Sequence, residues 1–138
     1  MKIRILALTA AALTLGVVPA AHGVTRGPLT TEPDAYVDVD VTITDTRIVL
    51  SDKDYERGNG VNFHVRNIGK KAHNFALVVA STAQITPLGG EGLRTPLLKS
   101  KQSAVLQVYL DIRGDFTYRS LARTDRAKPG MHGKFTVT

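Results

Sequence analysis

The side chains that could do chemistry in this chain are few and lie in two short segments. His73 lies in the first, just before Asn74 and Phe75, and Met131 lies next to His132 in the second. An imidazole nitrogen and a thioether sulfur are both ligands of transition metals, so the first chemistry to consider is metal binding. The 138 residues contain no cysteine, which excludes every chemistry that needs a thiolate.

The pattern of residues does not favour an enzyme. The sequence has no phosphate-cradling glycine loop, no Gly-x-Ser-x-Gly elbow and no His-Glu-x-x-His motif. No nucleophile–base pair is visible, and Asp125 among arginines is more simply a salt-bridged loop residue. We therefore expect that the protein is not an enzyme.

The other histidines are weaker candidates as metal ligands. In a strand, His132 and Met131 would face opposite sides, and His64 lies on the polar face of an alternating segment. His22 would become the mature N-terminus after cleavage behind Ala21, where amine and imidazole together chelate copper. The alternative is cleavage after Ala20, which would not make His22 the N-terminal residue. The flexible N-terminal segment also offers no obvious second group that could hold the copper ion.

Residues 1–23 have the three zones of a secretory signal peptide. Lys2 and Arg4 are followed by an uncharged apolar stretch over residues 5–18 and then by small residues. We expect cleavage after Ala20 or Ala21, or as late as Gly23. The alternative is a membrane anchor, but the apolar stretch is shorter than the ~20 residues that span a bilayer. The prediction is a periplasmic or secreted protein with no transmembrane segment in the mature chain.

The charge balance constrains the partners only weakly. The net charge of +6 falls by two, to +4, when Lys2 and Arg4 are removed with the signal peptide. This excess would suit an anionic partner or an acidic membrane surface, although a solvated surface is the simpler interpretation. No acidic or basic run is long enough to be a tail, and we expect no nucleic-acid partner.

Apolar and polar residues alternate with a period of two in several segments, which predicts half-buried strands. Residues 24–36 read as a flexible lead-in, and alternation begins at Val37. Residues 81–100 lack alternation, and we expect one short helix or turn there. Six to eight strands with turns predict an antiparallel sandwich or barrel. The expected core is Val39, Val41, Ile43, Phe63, Val65, Phe75, Leu77, Leu106 and Phe135.

Two motifs over residues 37–138 resemble those of the cupredoxins, the family of plastocyanin, azurin and amicyanin. The first is a strand, the turn Asn67-Ile68-Gly69 and then His73-Asn74-Phe75. The second begins at Gly114, runs through an alternating aromatic strand and a loop, and ends in Gly130-Met131-His132-Gly133 before a last strand. The resemblance implies an all-β, antiparallel Greek-key β-sandwich.

In that family the two motifs supply one blue copper site made of two His, one Cys and a weak axial Met. The resemblance matches His73 to the first His and Met131 to the axial Met, and it places Ser120 where the Cys should be. The second His falls at Arg126, with Arg123 or Asp125 as alternatives for a shifted loop. The resemblance thus implies a cupredoxin fold that has lost its blue copper site, with His73 and Met131 as remnants.

The loop after Ser120 also carries an excess of positive charge, which is unfavourable beside a dication by about 1 kcal/mol for each solvated cation. The basic residues proposed as a partner surface are Arg119, Arg123, Arg126 and Lys128. We expect an exported, non-enzymatic binding or interaction module for an unknown protein or anionic partner, with no cofactor. The alternative is a periplasmic copper-binding carrier or electron-transfer protein that uses His73 and Met131.

Overall fold

The computed structural model describes residues 32–80, 84–90 and 92–138. The signal peptide expected at residues 1–23 and most of the expected lead-in lie outside these residues. Among the described residues, no helix combines the length and apolar character that crossing a bilayer requires.

The described residues form nine strands and one short helical turn. The strands are β1 Tyr36–Ile43, β2 Ile48–Leu50, β3 Asp54–Tyr55, β4 Gly60–Asn67, β5 Ala76–Val78, β6 Ile85–Pro87, β7 Ser103–Leu110, β8 Gly114–Arg119 and β9 His132–Val137. A 3-10 turn at Pro129–Met131 leads directly into β9.

The strands form two sheets, with the order β2-β1-β4-β7-β6 in one and β3-β9-β8-β5 in the other. The predicted cupredoxin-like β-sandwich is confirmed. Its sheets are mixed rather than purely antiparallel, because β1 pairs parallel to β4 and β3 pairs parallel to β9. Alternation alone does not distinguish parallel from antiparallel pairing, since both present every second side chain to the same face.

Alternation in the strands produces a single hydrophobic core. All nine residues predicted for the core are buried. Aromatic rings connect the two sheets, with the centroid of Phe63 5.3 Å from that of Phe75 and 6.1 Å from that of Phe135. Such pairs add stability beyond the apolar area that they bury.

The segment before β7 differs from the expectation. In residues 84–90 and 92–100 the structure has no helix, and it has the short strand β6 and isolated bridges instead. Backbone bonds pair this stretch with the segment around His73, from Thr95 N to Phe75 O at 2.8 Å and from His73 N to Leu98 O at 3.0 Å. These long-range bonds satisfy the backbone groups that a helix would have satisfied locally.

Candidate functional site

The turn before His73 is built by a buried asparagine. The Asn67 side chain donates to the carbonyls of Lys71 and Leu98 at 2.7 and 2.9 Å, and its oxygen accepts from Gly69 N at 2.9 Å. These bonds hold the backbone between β4 and β5 in a fixed turn. The Asn-x-Gly signal in the sequence therefore positions His73 at one end of the sandwich.

Glycine at position 69 makes room for an acidic side chain from the loop after β1. A Cβ atom on Gly69 would lie 2.6 Å from Oδ1 of Asp45, closer than real contacts allow. The Asp45 carboxylate accepts from the backbone N–H groups of Lys70 and Lys71, each at 2.9 Å. Asp45 is thereby fixed against the same turn that carries His73.

His73 lies between two carboxylates and is fully buried. Its Nδ1 is 2.6 Å from Oδ2 of Asp125, and its Nε2 is 3.1 Å from Oδ1 of Asp45. Each ring nitrogen thus faces a carboxylate oxygen. Neither nitrogen is left facing an open coordination position.

Asp125 turns into the protein from the loop after β8. Its Oδ2 accepts from the Ser120 hydroxyl at 2.7 Å as well as from His73, and its Oδ1 accepts from Lys128 Nζ at 3.2 Å. Only 2% of Asp125 is exposed. Burial alone would raise the pKa of this carboxyl, but the hydrogen bonds from His73, Ser120 and Lys128 outweigh burial and lower it.

Lys128 closes the network into a ring. Its ammonium donates both to Asp125 and, at 2.8 Å, to the backbone carbonyl of Asp45. The pKa of Asp45 is strongly lowered by the N–H of Lys71, the His73 imidazole and the N–H of Lys70, in that order. The ring ties together the loops that follow β1, β4 and β8.

The structure brings together only some of the positions that the family resemblance matches to copper ligands. His73, Ser120 and Met131 are all buried, and Ser120 N bonds Met131 O at 2.9 Å. Arg126 is exposed, and of the three loop positions considered for the second His it is Asp125 whose side chain reaches His73. Met131 is buried at the end of the 3-10 turn, and His132, the first residue of β9, is exposed.

The residues present do not fit a blue copper site. A hydroxyl is a hard donor with a pKa far too high to replace a thiolate, and Ser120 already donates to Asp125. Both nitrogens of His73 are engaged by carboxylates. Among the described residues, no cluster of three or more His, Cys, Asp or Glu side chains is arranged to hold a metal ion.

The four basic residues proposed as a surface are divided between two places. Arg119, Arg126 and Lys128 line one cleft together with Ser120 and Met131. Arg123 lies in a separate shallow depression that also contains the exposed side chain of Leu97.

The sequence does not point to Asp45 as a member of this network. Asp125 is predicted as a salt-bridged loop residue and as one alternative for the position of the second His, and the structure pairs it with Lys128 and His73 but buries it at the centre of the site. Asp125 is flanked by Arg123 and Arg126, so composition suggested a solvated loop. The signal in the sequence is the position of Asp125 in the loop after β8, because the family resemblance implies that this loop contributes a metal ligand that faces His73.

Comparison with known proteins supports the fold and leaves function open. No protein-family model matches the chain, and no curated protein matches its sequence. Auracyanin B is 19% identical, with a TM-score of 0.54 over 78% of this chain and 91% of that one. An auracyanin from Roseiflexus castenholzii is 15% identical, with a TM-score of 0.52 over 75% and 96%.

Larger copper proteins share the fold as one part of their chains. A laccase variant from B. aclada has a TM-score of 0.59 at 8% identity, and 78% of this chain matches 23% of it. A multicopper oxidase has a TM-score of 0.54 at 14% identity, with 45% of its chain covered. At such identities the likeness concerns the fold alone. The chain has a cupredoxin-like fold and lacks the cysteine on which a blue copper site depends.

Proposed function

We propose that this protein is an exported, non-enzymatic binding module on a cupredoxin-like fold that has lost the blue copper site. The observation that carries the proposal is the position of Asp125 Oδ2, 2.6 Å from His73 Nδ1 and 2.7 Å from Ser120 Oγ. An anionic acceptor thus bridges the two side chains that the family resemblance matches to metal ligands.

Electrostatics supports this interpretation. The Asp125 carboxylate contacts His73 and Lys128. The Asp45 carboxylate contacts His73 and the backbone N–H groups of Lys70 and Lys71. A metal ion bound through either ring nitrogen of His73 would have to displace the carboxylate that faces that nitrogen. Breaking a buried pair leaves an uncompensated charge, which is costly in free energy. The network favours a structural role for this end of the sandwich.

The same contacts argue against hydrolytic catalysis. Ser120, Asp125 and His73 lie in a row, but the carboxylate is in the middle and the imidazole bonds carboxylates at both nitrogens. A serine nucleophile needs a base that accepts its proton, and the neutral imidazole usually fills that role. Here the hydroxyl donates to a carboxylate whose lowered pKa makes it a weak base.

The remaining parts of the proposal rest on the sequence. The zones of residues 1–23 support export to the periplasm or the medium, with cleavage between Ala20 and Gly23. The partner would be a protein or another anionic species that contacts the basic end of the sandwich. Nucleic acid is not proposed as a partner.

The decisive experiment is metal analysis of the mature protein after copper loading, together with an absorption spectrum. We expect no blue absorption band and no stoichiometric copper. A strong blue band would overturn the proposal. Tight, pale copper binding would instead favour a copper carrier that uses His73 and Met131.

A further inference from the structure

The cleft beside Met131 collects basic side chains from two strands and a loop. It has a volume of about 280 Å³ and is lined by Thr117, Arg119, Ser120, Asp125, Arg126, Lys128, Met131 and His132. This volume is slightly below the range of drug-sized sites, so the cleft suits a small ligand.

Strand register explains why these residues meet. In the antiparallel pair of β8 and β9, Arg119 lies directly opposite His132, and Thr117 lies opposite Lys134. Phe116, Tyr118 and Phe135 point into the core, so their neighbours along each strand point outward. The loop after β8 then adds Arg126 and Lys128 at the same edge.

The cations of the cleft are poorly compensated. Within the described part of the chain, neither Arg119 nor Arg126 forms an ion pair. Lys128 is paired with Asp125, whose own carboxylate is buried and also bonded to His73 and Ser120. Like charges gathered in this way repel one another, so the free cleft favours an anion.

The chemistry of the lining indicates the class of anion. Two guanidinium groups, outside any ion pair of the described residues, present planar arrays of N–H donors, and the Lys128 ammonium, which is already paired with Asp125, lies beside them. A single carboxylate is balanced by one cation, whereas a phosphate-type dianion balances two and accepts several charge-assisted hydrogen bonds. The hydroxyl of Thr117 offers a further donor at the cleft wall.

We propose that this cleft binds a small oxyanion of the phosphate type, either free or as the headgroup of an anionic lipid, through Arg119, Arg126 and Lys128. This inference rests on the proposed function as a binding module, and it names the ligand class of its basic end. Arg123 is outside the cleft and takes no part.

The test uses the mature protein, inorganic phosphate as the probe and backbone amide NMR at constant ionic strength. Phosphate should shift the amides of residues 117–134, and Arg119→Gln with Arg126→Gln should weaken binding roughly tenfold or more. Arg66→Gln removes an exposed arginine from the outer face of the other sheet and should leave binding unchanged. If the double variant fails to fold, the exposed single change Arg126→Gln still provides the comparison.

A second measurement, on lipid vesicles, distinguishes a free phosphate ion from a lipid headgroup as the ligand. Binding to vesicles that contain phosphatidic acid, whose phosphomonoester headgroup can carry two negative charges, would support the headgroup if it is lost with Arg126→Gln. Phosphate shifts without vesicle binding would support the free anion. Absence of both, or equal loss with Arg66→Gln, would overturn the cleft as a site. Copper loading of the same sample is interpreted separately, because a blue parent protein would overturn the proposed function whatever the phosphate result.

Discussion

Nδ1 of His73 lies 2.6 Å from Oδ2 of Asp125, and both side chains are completely excluded from solvent. The contact joins the turn before β5 to the loop after β8, which are 52 residues apart in the chain. Through Nε2, the same imidazole reaches Asp45, in the loop after β1. His73 thus bridges two carboxylates at one end of the sandwich.

Removing Asp125 should destabilise the protein strongly. Asp125→Ala leaves His73 Nδ1 and one N–H of Lys128 without their acceptor, while the Ser120 hydroxyl keeps Asn74 Oδ1 at 3.3 Å. Removing one partner of such a buried pair costs about 3–5 kcal/mol. Urea unfolding followed by circular dichroism measures the change. Arg123→Ala, at an exposed position in the same loop, is the control and should stay within about 0.5 kcal/mol. Equal stabilities for the two variants would show that the buried network does not support the fold.

Acid should lower the free energy of unfolding by protonating the carboxylates of Asp45 and Asp125. The pKa values of Asp45 and Asp125 are lowered in the folded state, whereas in the unfolded chain they are near the ordinary ~3.9. Their contribution to stability is therefore complete above about pH 5 and is lost as the pH falls through the lowered folded values.

The free energy of unfolding should consequently decrease from pH 5 towards pH 2 in the parent protein. The double variant Asp45→Asn, Asp125→Asn should show a flatter profile, because it has lost the two carboxylates that bind protons on unfolding. Parallel profiles for parent and variant would contradict the lowered pKa values.

Truncating a ring in the core tests the sandwich itself. Phe75 is fully buried and packs between Phe63 and Tyr118, so Phe75→Ala should cost about 3–5 kcal/mol. Val105 on β7 is 53% exposed, and Val105→Ala provides the matched control. A loss below about 1 kcal/mol at Phe75 would show that this ring does not belong to the core.

The structure also specifies how a metal site could be restored. Asp125 contacts both His73 and Ser120, whereas Arg126 is exposed, so Ser120→Cys with Asp125→His should place a thiolate and a second imidazole beside His73 and Met131. Those are the soft and borderline donors that copper favours.

An intense blue colour on adding copper to this double variant is the expected result. Ser120→Cys with Arg126→His is the comparison, and it should bind copper less well because position 126 faces solvent. If His at position 126 restores the colour and His at position 125 does not, the residue correspondence around Asp125 is wrong.

Much of the fold could be predicted because its signals are local. Alternation at Val39, Val41 and Ile43 identified a strand with one buried face, and the structure confirms it. The irregular stretch before β7 could not be predicted in this way. Its backbone partners are near His73, and such long-range hydrogen bonds leave no periodic pattern in the sequence.

The sequence by itself determined that a thiolate is absent. The family resemblance matched Ser120 to the Cys and left Arg126, Arg123 or Asp125 for the second His. Only the tertiary structure decided that Asp125 and Asp45 enclose His73. Arg123 and Arg126 flank Asp125 in the sequence, so the composition of this loop indicates a solvated loop. The burial of Asp125 depends instead on donors that approach from distant elements, since a carboxylate can leave water only where hydrogen bonds and opposite charges replace its hydration.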